Sequence, residues 1–254
     1  MKKAVCLLLL SLLALGIYGC SPPSLDALGT IQDLSYPNKS EETQNTVYLS
    51  ENGEPVPYLV VSDNYDGHVL LLRKELAPDR VPYRNEKRYN VGAGYYGESD
   101  VDRFLNEEFA LRYSEVVRTL MVESGILITS RDTVCRSDNR RNTERIARRI
   151  FLLSATEVTG ERSAMTTKEG SFLSFFQDRE EALGPQWLRS AYLWDDVHAW
   201  AVDSTLDGAL AAYSEHVNAR CFVRPAFCVP RDTLIYPCSV DGQTAYSLEP
   251  PEDA

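Results

Sequence analysis

The chain has 254 residues, a formal net charge of −11 at neutral pH and 44% hydrophobic residues. About 195 residues lie between two polar ends, enough for one ordinary domain with a complete hydrophobic core. An acidic protein repels nucleic acid and anionic lipid headgroups, so neither is an expected partner.

The first 20 residues have the layout of a secretory signal sequence. Lys2 and Lys3 form a positive n-region, an apolar stretch runs from Leu7 to Leu15, and the small residue Gly19 precedes Cys20. The apolar stretch is shorter than the about 20 residues that a membrane-spanning helix needs. The end of this segment resembles the lipobox of bacterial lipoproteins. That resemblance implies that Cys20 becomes the acylated first residue of the mature protein.

Processing would change both the charge and the location of the chain. Residues 1–19 contain two lysines and no acid, so their removal changes the formal charge from −11 to −13. Stable anchoring needs more than one acyl chain, and the lipoprotein resemblance implies two or three, palmitate among them. We therefore expect an extracytoplasmic protein that contacts a bacterial membrane only through its N-terminal lipid.

Composition divides the remaining chain into three segments. Residues 20–45 are rich in proline and small polar residues, cannot bury enough apolar surface to fold, and are predicted to form a flexible tether. Residues 46–241 are predicted to form a single globular domain. Residues 242–254 are predicted to be a disordered tail, and the chain has no internal repeat.

Strands and a hairpin are predicted at the start of the domain. Two predicted strands cover Val47–Leu49 and Tyr58–Val61. Asp66-Gly67 is typical of a hairpin turn before a third strand, His68–Leu72. That strand is apolar without alternation, so we expect it to be buried on both faces.

Two capping patterns predict helices in the middle of the chain. Ser99 and Asp102 have capping-box spacing and precede two stretches of apolar residues at helical spacing, the second of which ends before Gly125. Ser154 and Glu157 form a second capping pair. Short mixed and antiparallel strands with two or three helices predict an α+β fold.

Five motifs occur in a fixed order along the domain. They are Ser99 with Phe104-Leu105-Asn106 and Phe109, Phe151-Leu152-Leu153-Ser154 with Glu157, Trp187-Leu188-Arg189-Ser190, Gly208, and Val223-Arg224-Pro225-Ala226. Together they resemble an uncharacterised domain family common in bacterial surface lipoproteins, and the resemblance covers residues 58–230. The chain departs from the family pattern at Phe222, where the family usually has glycine, and at Gln186, where an aromatic often precedes Trp187. The chain also remotely resembles the C-type-lectin-like fold of formylglycine-generating enzymes, a fold-level analogy that implies little about function.

Four cysteines fall within the predicted domain: Cys135, Cys221, Cys228 and Cys238. Export to an oxidising compartment predicts at least one disulfide bond, and three pairings can be drawn if there are two. A metal or redox site is the alternative. Cys221 and Cys228 are predicted to lie in one strand with their side chains on opposite faces, which would prevent them from sharing one ion.

Arginines are concentrated between residues 131 and 149, where there are seven. Guanidinium groups suit recognition of a carboxylate, sulfate or phosphate. We favour the alternative that this surface is solvated and balanced by the protein's own carboxylates. For Arg189 and Arg224 we favour buried pairing with carboxylates over contact with a substrate.

The segment Trp194-Asp195-Asp196-Val197-His198-Ala199-Trp200 is the strongest indication of a ligand surface. As a strand it would place Trp194, Asp196, His198 and Trp200 on one face. Two aromatics that flank a carboxylate and an imidazole suit a sugar or a peptide. If the tryptophans faced the core instead, the two polar side chains would need buried partners. We therefore expect this face to be at least partly exposed.

The chain has no nucleophile elbow, phosphate loop or zinc-binding helix, and we predict no cofactor or metal. The leading hypothesis is a non-catalytic, lipid-anchored binding module for a glycan, a peptide or a surface protein. One alternative is an exported enzyme of the same fold, either a hydrolase or a thiol-dependent oxidase. Another is a structural module of a surface assembly.

Overall fold

The computed structural model describes residues 27–39, 44–85, 92–135, 141–160, 166–177, 184–195, 197–204 and 210–251. The strands are β1 (Gly29–Thr30), β2 (Thr46–Glu51), β3 (Glu54–Tyr65), β4 (His68–Arg73), β5 (Arg80–Pro82), β6 (Ser124–Thr129), β7 (Thr143–Arg148), β8 (Ile150–Phe151), β9 (Gln186–Ala191), β10 (His198–Ser204), β11 (Leu210–His216), β12 (Arg220–Phe222), β13 (Ala226–Val229), β14 (Leu234–Val240) and β15 (Gln243–Ser247). The α-helices are α1 (Asp100–Arg103), α2 (Glu115–Leu120), α3 (Arg131–Val134) and α4 (Ala155–Thr159).

The strands form three sheets. The largest has the order β1-β14-β15-β2-β3-β4-β13-β8, the second has the order β11-β10-β9-β12-β5, and β6 and β7 form a hairpin. Most neighbours are antiparallel, but β15 with β2 and β12 with β9 are parallel pairs. The predicted α+β class with mixed and antiparallel strands in a single domain is confirmed. No described helix has the length and apolar character needed to cross a membrane.

The β3–β4 hairpin follows directly from local sequence. Asp66 and Gly67 have φ values of 50° and 84°, the left-handed values that a two-residue type I′ turn requires. The predicted strand after this turn is β4, and the side chains of residues 69–72 are buried. β4 lies between β3 and β13 in the large sheet, which explains why its apolar residues do not alternate with polar ones.

Both capping predictions are confirmed, but the helix after Ser99 is less regular than predicted. The Ser99 hydroxyl accepts the Asp102 amide at 3.1 Å, and α1 then continues as a π-turn (Phe104–Glu108) and a 3-10 turn (Phe109–Arg112). Within the π-turn, the Asn106 side-chain amide donates to the Ile150 carbonyl at 2.9 Å and its oxygen accepts the Ile150 amide. These bonds fix the turn against the edge of the large sheet.

The folded part of the chain exceeds the predicted domain of residues 46–241 at both ends. β1, inside the predicted tether of residues 20–45, pairs with β14, and Ile31 beside it is fully buried. β15, inside the predicted disordered tail of residues 242–254, pairs with β14 and β2. The structure corrects both boundaries. Each polar segment gains the backbone hydrogen bonds of a sheet and buries a few apolar side chains, which average composition does not reveal.

Candidate functional site

A fully buried ion pair joins two of the family-like motifs. Arg189 of β9 donates to both carboxylate oxygens of Glu157, the third residue of α4, at 2.6 and 2.7 Å. Its remaining donors reach the carbonyls of Leu127 and Leu152. Burial lowers the pKa of the Arg189 guanidinium, but the charge of Glu157 and its hydrogen bond, together with Tyr65 and Glu169, raise the pKa above its ordinary value. The pair is therefore charged and fully hydrogen-bonded, and the predicted structural role of Arg189 is confirmed.

A second buried carboxylate lies next to this pair. Glu169 accepts the amide and the hydroxyl of Thr129, each at 2.6 Å, and the hydroxyl of Ser190 at 2.5 Å. Burial raises the pKa of the Glu169 carboxyl. Gly170 follows with φ +93°, and a Cβ there would lie 2.7 Å from Glu157 Oε1. Only glycine lets the backbone pass this close to the ion pair.

A cleft of about 410 Å³ has Glu157 of the ion pair among its lining residues. Its lining includes the end of β3, Tyr36 and Pro37, and residues 170–174. We call it the Tyr36–Phe172 cleft. Glu157 contributes to its floor, where the Tyr65 hydroxyl donates to Glu157 Oε1 at 2.8 Å and the Tyr65 ring stacks on Phe151. The buried pair thus holds the floor of the cleft rigid.

Several polar side chains at the cleft have unused hydrogen-bonding capacity. The hydroxyls of Tyr36, Ser171 and Ser174 and the side-chain amide of Asn64 make no hydrogen bond with other residues that the structure describes. The Asp63 carboxylate lies 3.9 Å from a guanidinium nitrogen of Arg231, and both groups are partly exposed. Phe172 lies among them with 41% of its surface exposed. An exposed ring beside unused polar groups is the composition expected of a ligand pocket.

The arginine at the rim of the cleft is already paired. Arg145 Nη1 lies 2.6 Å from Asp66 Oδ1, and the Gly125 amide donates to Asp66 Oδ2 at 2.6 Å. Partial burial acts to raise the pKa of Asp66, but these two hydrogen bonds bring it below its ordinary value. Two other arginines of the arginine-rich segment are also paired with carboxylates: Arg131 with Glu98, and Arg148 with Asp102. These contacts support the interpretation of a self-balanced surface; Arg136 and Arg140 lie outside the described residues.

The predicted ligand face of Trp194, Asp196, His198 and Trp200 does not form as one surface. β10 begins only at His198, so Trp194 precedes the strand and is 65% exposed, whereas Trp200 is 6% exposed within the core. Asp196 lies outside the described residues. The alternation rule failed because it applies only within a strand, and the strand begins four residues later than predicted. His198 and Trp200 do share a face, and the Tyr192 ring packs against both.

The carboxylate that contacts His198 is Asp195, which sequence reasoning assigned to the opposite face. The two oxygens of Asp195 lie 2.8 and 2.9 Å from His198 Nδ1, and Oδ1 also accepts the Val197 amide. Partial burial acts to raise the pKa of Asp195, but the hydrogen bond from His198 lowers it below its ordinary value. The three-residue spacing of an acid and a histidine before a strand could have indicated this pair. It is a half-exposed carboxylate–imidazole pair, a geometry that can orient a proton-transfer group.

The disulfide prediction is wrong for the structure: Cys135, Cys221, Cys228 and Cys238 are all free thiols. Cys221 lies in β12 and Cys228 in β13, strands of different sheets, so the prediction that they share one strand is also wrong. Burial raises the pKa of each of these two thiols to about 12. Both are therefore protonated at neutral pH and poor nucleophiles, which weighs against thiol chemistry. No described set of three or more histidine, cysteine or acidic residues is arranged to hold a metal ion.

The region that contains the ordered motifs matches the model of a known domain family. The model of DUF6273, a domain of unknown function, matches residues 66–231, which is more than half of the chain. No curated protein and no solved structure shows significant similarity to the chain. The matched region contains the Glu157–Arg189 pair and residues 170–174, whereas Tyr36, Asp63 and Asn64 precede it. The chain belongs to the DUF6273 family.

Proposed function

We propose that the protein is a non-catalytic binding module, held at the outer side of a bacterial membrane by a lipid on Cys20, with its ligand in the Tyr36–Phe172 cleft. The observation that carries the proposal is the concentration of unused hydrogen-bonding groups around the exposed ring of Phe172. Two of the carboxylates that line the cleft are held in ion pairs, Glu157 with Arg189 and Asp66 with Arg145. Because these carboxylates are held in ion pairs, the cleft is better suited to binding a ligand than to transferring protons.

The anchor and the fold together would keep the cleft near the membrane. Because β1 begins at Gly29 and belongs to the large sheet, only nine residue steps separate Cys20 from the sheet. Nine residues can span at most about 30 Å when fully extended. The module would therefore reach ligands in the envelope layer next to its membrane. A glycan, a peptide or a surface protein remains the expected partner, with no contact to nucleic acid.

A second candidate function is that of an exported hydrolase. The Asp195–His198 pair favours it, because a carboxylate that holds an imidazole is a common way to orient a general base. The remote resemblance to the C-type-lectin-like fold stays a prediction and supports neither candidate.

Replacing Cys20 by Ala should prevent acylation, so that any chain from which residues 1–19 have been removed is released from the membrane. The mature chain contacts the bilayer only through the acyl chains in this proposal, so loss of the acceptor thiol removes the attachment. Fractionation of cells that express wild type and Cys20→Ala, followed by immunoblotting, measures the membrane-bound share. The signal peptide should still direct export. A variant that stays membrane-bound with residues 1–19 removed would contradict the anchoring proposal.

Replacing Phe172 by Ala should abolish retention of the protein on its natural ligand. The measurement is a pull-down of purified wild type and variant on immobilised cell-envelope material from the expressing bacterium. Leu111→Ala is the matched control, because Leu111 is 69% exposed and does not line the cleft. Retention that is equal for wild type, Phe172→Ala and Leu111→Ala would rule out the cleft as the binding site.

A further inference from the structure

We infer that the ligand of the Tyr36–Phe172 cleft is a neutral saccharide, with one ring face on Phe172 and its hydroxyls hydrogen-bonded to Asp63 and Asn64. The inference rests on the proposed function and specifies the chemistry of the ligand. Three properties of the cleft carry it: its charge, its aromatic platform and the backbone irregularity that presents its polar groups.

The charges at the cleft argue against an anionic ligand. The lining cation is Arg145, whose guanidinium is paired with Asp66. Arg231 lies 3.9 Å from the Asp63 carboxylate, and Arg189 is paired with Glu157. A phosphate or carboxylate would therefore have to compete with an existing ion pair. The groups with free capacity are the carboxylate of Asp63 and neutral amides and hydroxyls, which match the alternating donors and acceptors of sugar hydroxyls.

Phe172 forms a platform whose position is fixed. The backbone of Gly160, the left-handed residue that ends α4, approaches one side of the ring, and a Cβ there would lie 3.2 Å from Phe172 Cδ2. The ring therefore packs against the end of α4, while 41% of the residue stays exposed. A flat apolar ring with one open side suits the C–H face of a pyranose, and its fixed position reduces the entropy cost of binding.

Two of the polar side chains that line the cleft, those of Asp63 and Asn64, come from an irregular part of β3. The pairing of β3 with β4 shifts register twice, between Val60 and Ser62 and between Ser62 and Tyr65. Asp63 and Asn64 lie in this interval. Bulges commonly redirect side chains next to binding sites. Here a carboxylate and an amide on adjacent residues can accept from and donate to neighbouring ring hydroxyls.

The dimensions fit an oligosaccharide rather than a globular partner. The volume of about 410 Å³ lies within the range of about 300–1,000 Å³ that is usual for small-ligand sites. The cleft is open to solvent along its rim, so a bound sugar unit can continue into a longer chain. The serine hydroxyls on the Phe172 side, Ser171 and Ser174, provide further donors for such a chain.

The inference is tested by calorimetric titration of the full mature protein with neutral oligosaccharides. The probes are hexasaccharides of glucose, N-acetylglucosamine, mannose, galactose and xylose, with oligogalacturonate and a mixed peptide pool as charged and peptidic comparisons. We expect at least one neutral probe to bind. Phe172→Ala and Asp63→Ala should each weaken that binding by about tenfold or more, because each removes one of the two contacts that hold the ring.

Two variants separate recognition from folding. Phe172→Tyr keeps the platform and should retain binding, and Leu111→Ala should match wild type. The melting temperatures of all variants should stay close to that of wild type, since the side chains lie at the surface. Failure of every neutral probe to bind would overturn the saccharide inference. If peptides or oligogalacturonate bind instead, with dependence on Phe172, the inference fails while the cleft remains the binding site.

Discussion

Replacing Arg189 by Met should lower the free energy of unfolding by about 3–5 kcal/mol, because the substitution leaves the Glu157 carboxylate buried without its counter-charge. The side chains of the pair are 0% and 2% exposed, so solvent cannot replace the lost guanidinium. The carbonyls of Leu127 and Leu152 also lose their donors. Equilibrium unfolding in guanidinium chloride measures the change. The same loss should disturb the floor of the Tyr36–Phe172 cleft, because Glu157 orients Tyr65 there.

A solvated ion pair of the same chemistry provides the control. Arg145 and Asp66 form a pair whose side chains are 57% and 30% exposed. Arg145→Met should therefore cost about 1 kcal/mol or less, the usual value for an exposed pair. If Arg189→Met destabilises the protein no more than Arg145→Met, the buried pair does not have the structural role assigned to it.

Sequence reasoning succeeded where the structure depends on neighbouring residues. Asp66-Gly67 specifies a turn through its own backbone preferences, and Ser154 with Glu157 forms a complete capping box within four residues. The same Glu157 then pairs with Arg189, and both lie in motifs that the sequence had already singled out. Short-range rules therefore identified Glu157, which lines the cleft, but they did not predict the cleft itself.

Sequence reasoning failed where distant segments decide the outcome. β1 pairs with β14, and Ser247 of β15 pairs with Tyr48, so both ends of the domain depend on partners about 200 residues away. The cleft likewise combines Tyr36, the end of β3 and residues 170–174, which meet only because the large sheet and α4 bring them together. No local periodicity carries that information.

Replacing Trp200 by Ala should lower the free energy of unfolding by about 3–5 kcal/mol, because it removes a large ring from the core and leaves a cavity. Trp200 is 6% exposed and packs against Tyr192. Trp194→Ala is the matched substitution. Trp194 is 65% exposed and lies before β10, so its truncation should change stability by no more than about 0.5 kcal/mol. Chemical denaturation of the two variants in parallel provides the comparison.

The same two variants decide which surface of the molecule binds the ligand. If the Tyr36–Phe172 cleft is the site, Trp194→Ala should bind the ligand as wild type does, because Trp194 does not line that cleft. Loss of binding in Trp194→Ala with unchanged stability would instead assign the ligand to the surface around Asp195 and His198. Equal destabilisation by Trp194→Ala and Trp200→Ala would contradict the positions of both rings. A stable Trp194→Ala variant with full binding is the result expected if Trp200 belongs to the core and Phe172 to the binding site.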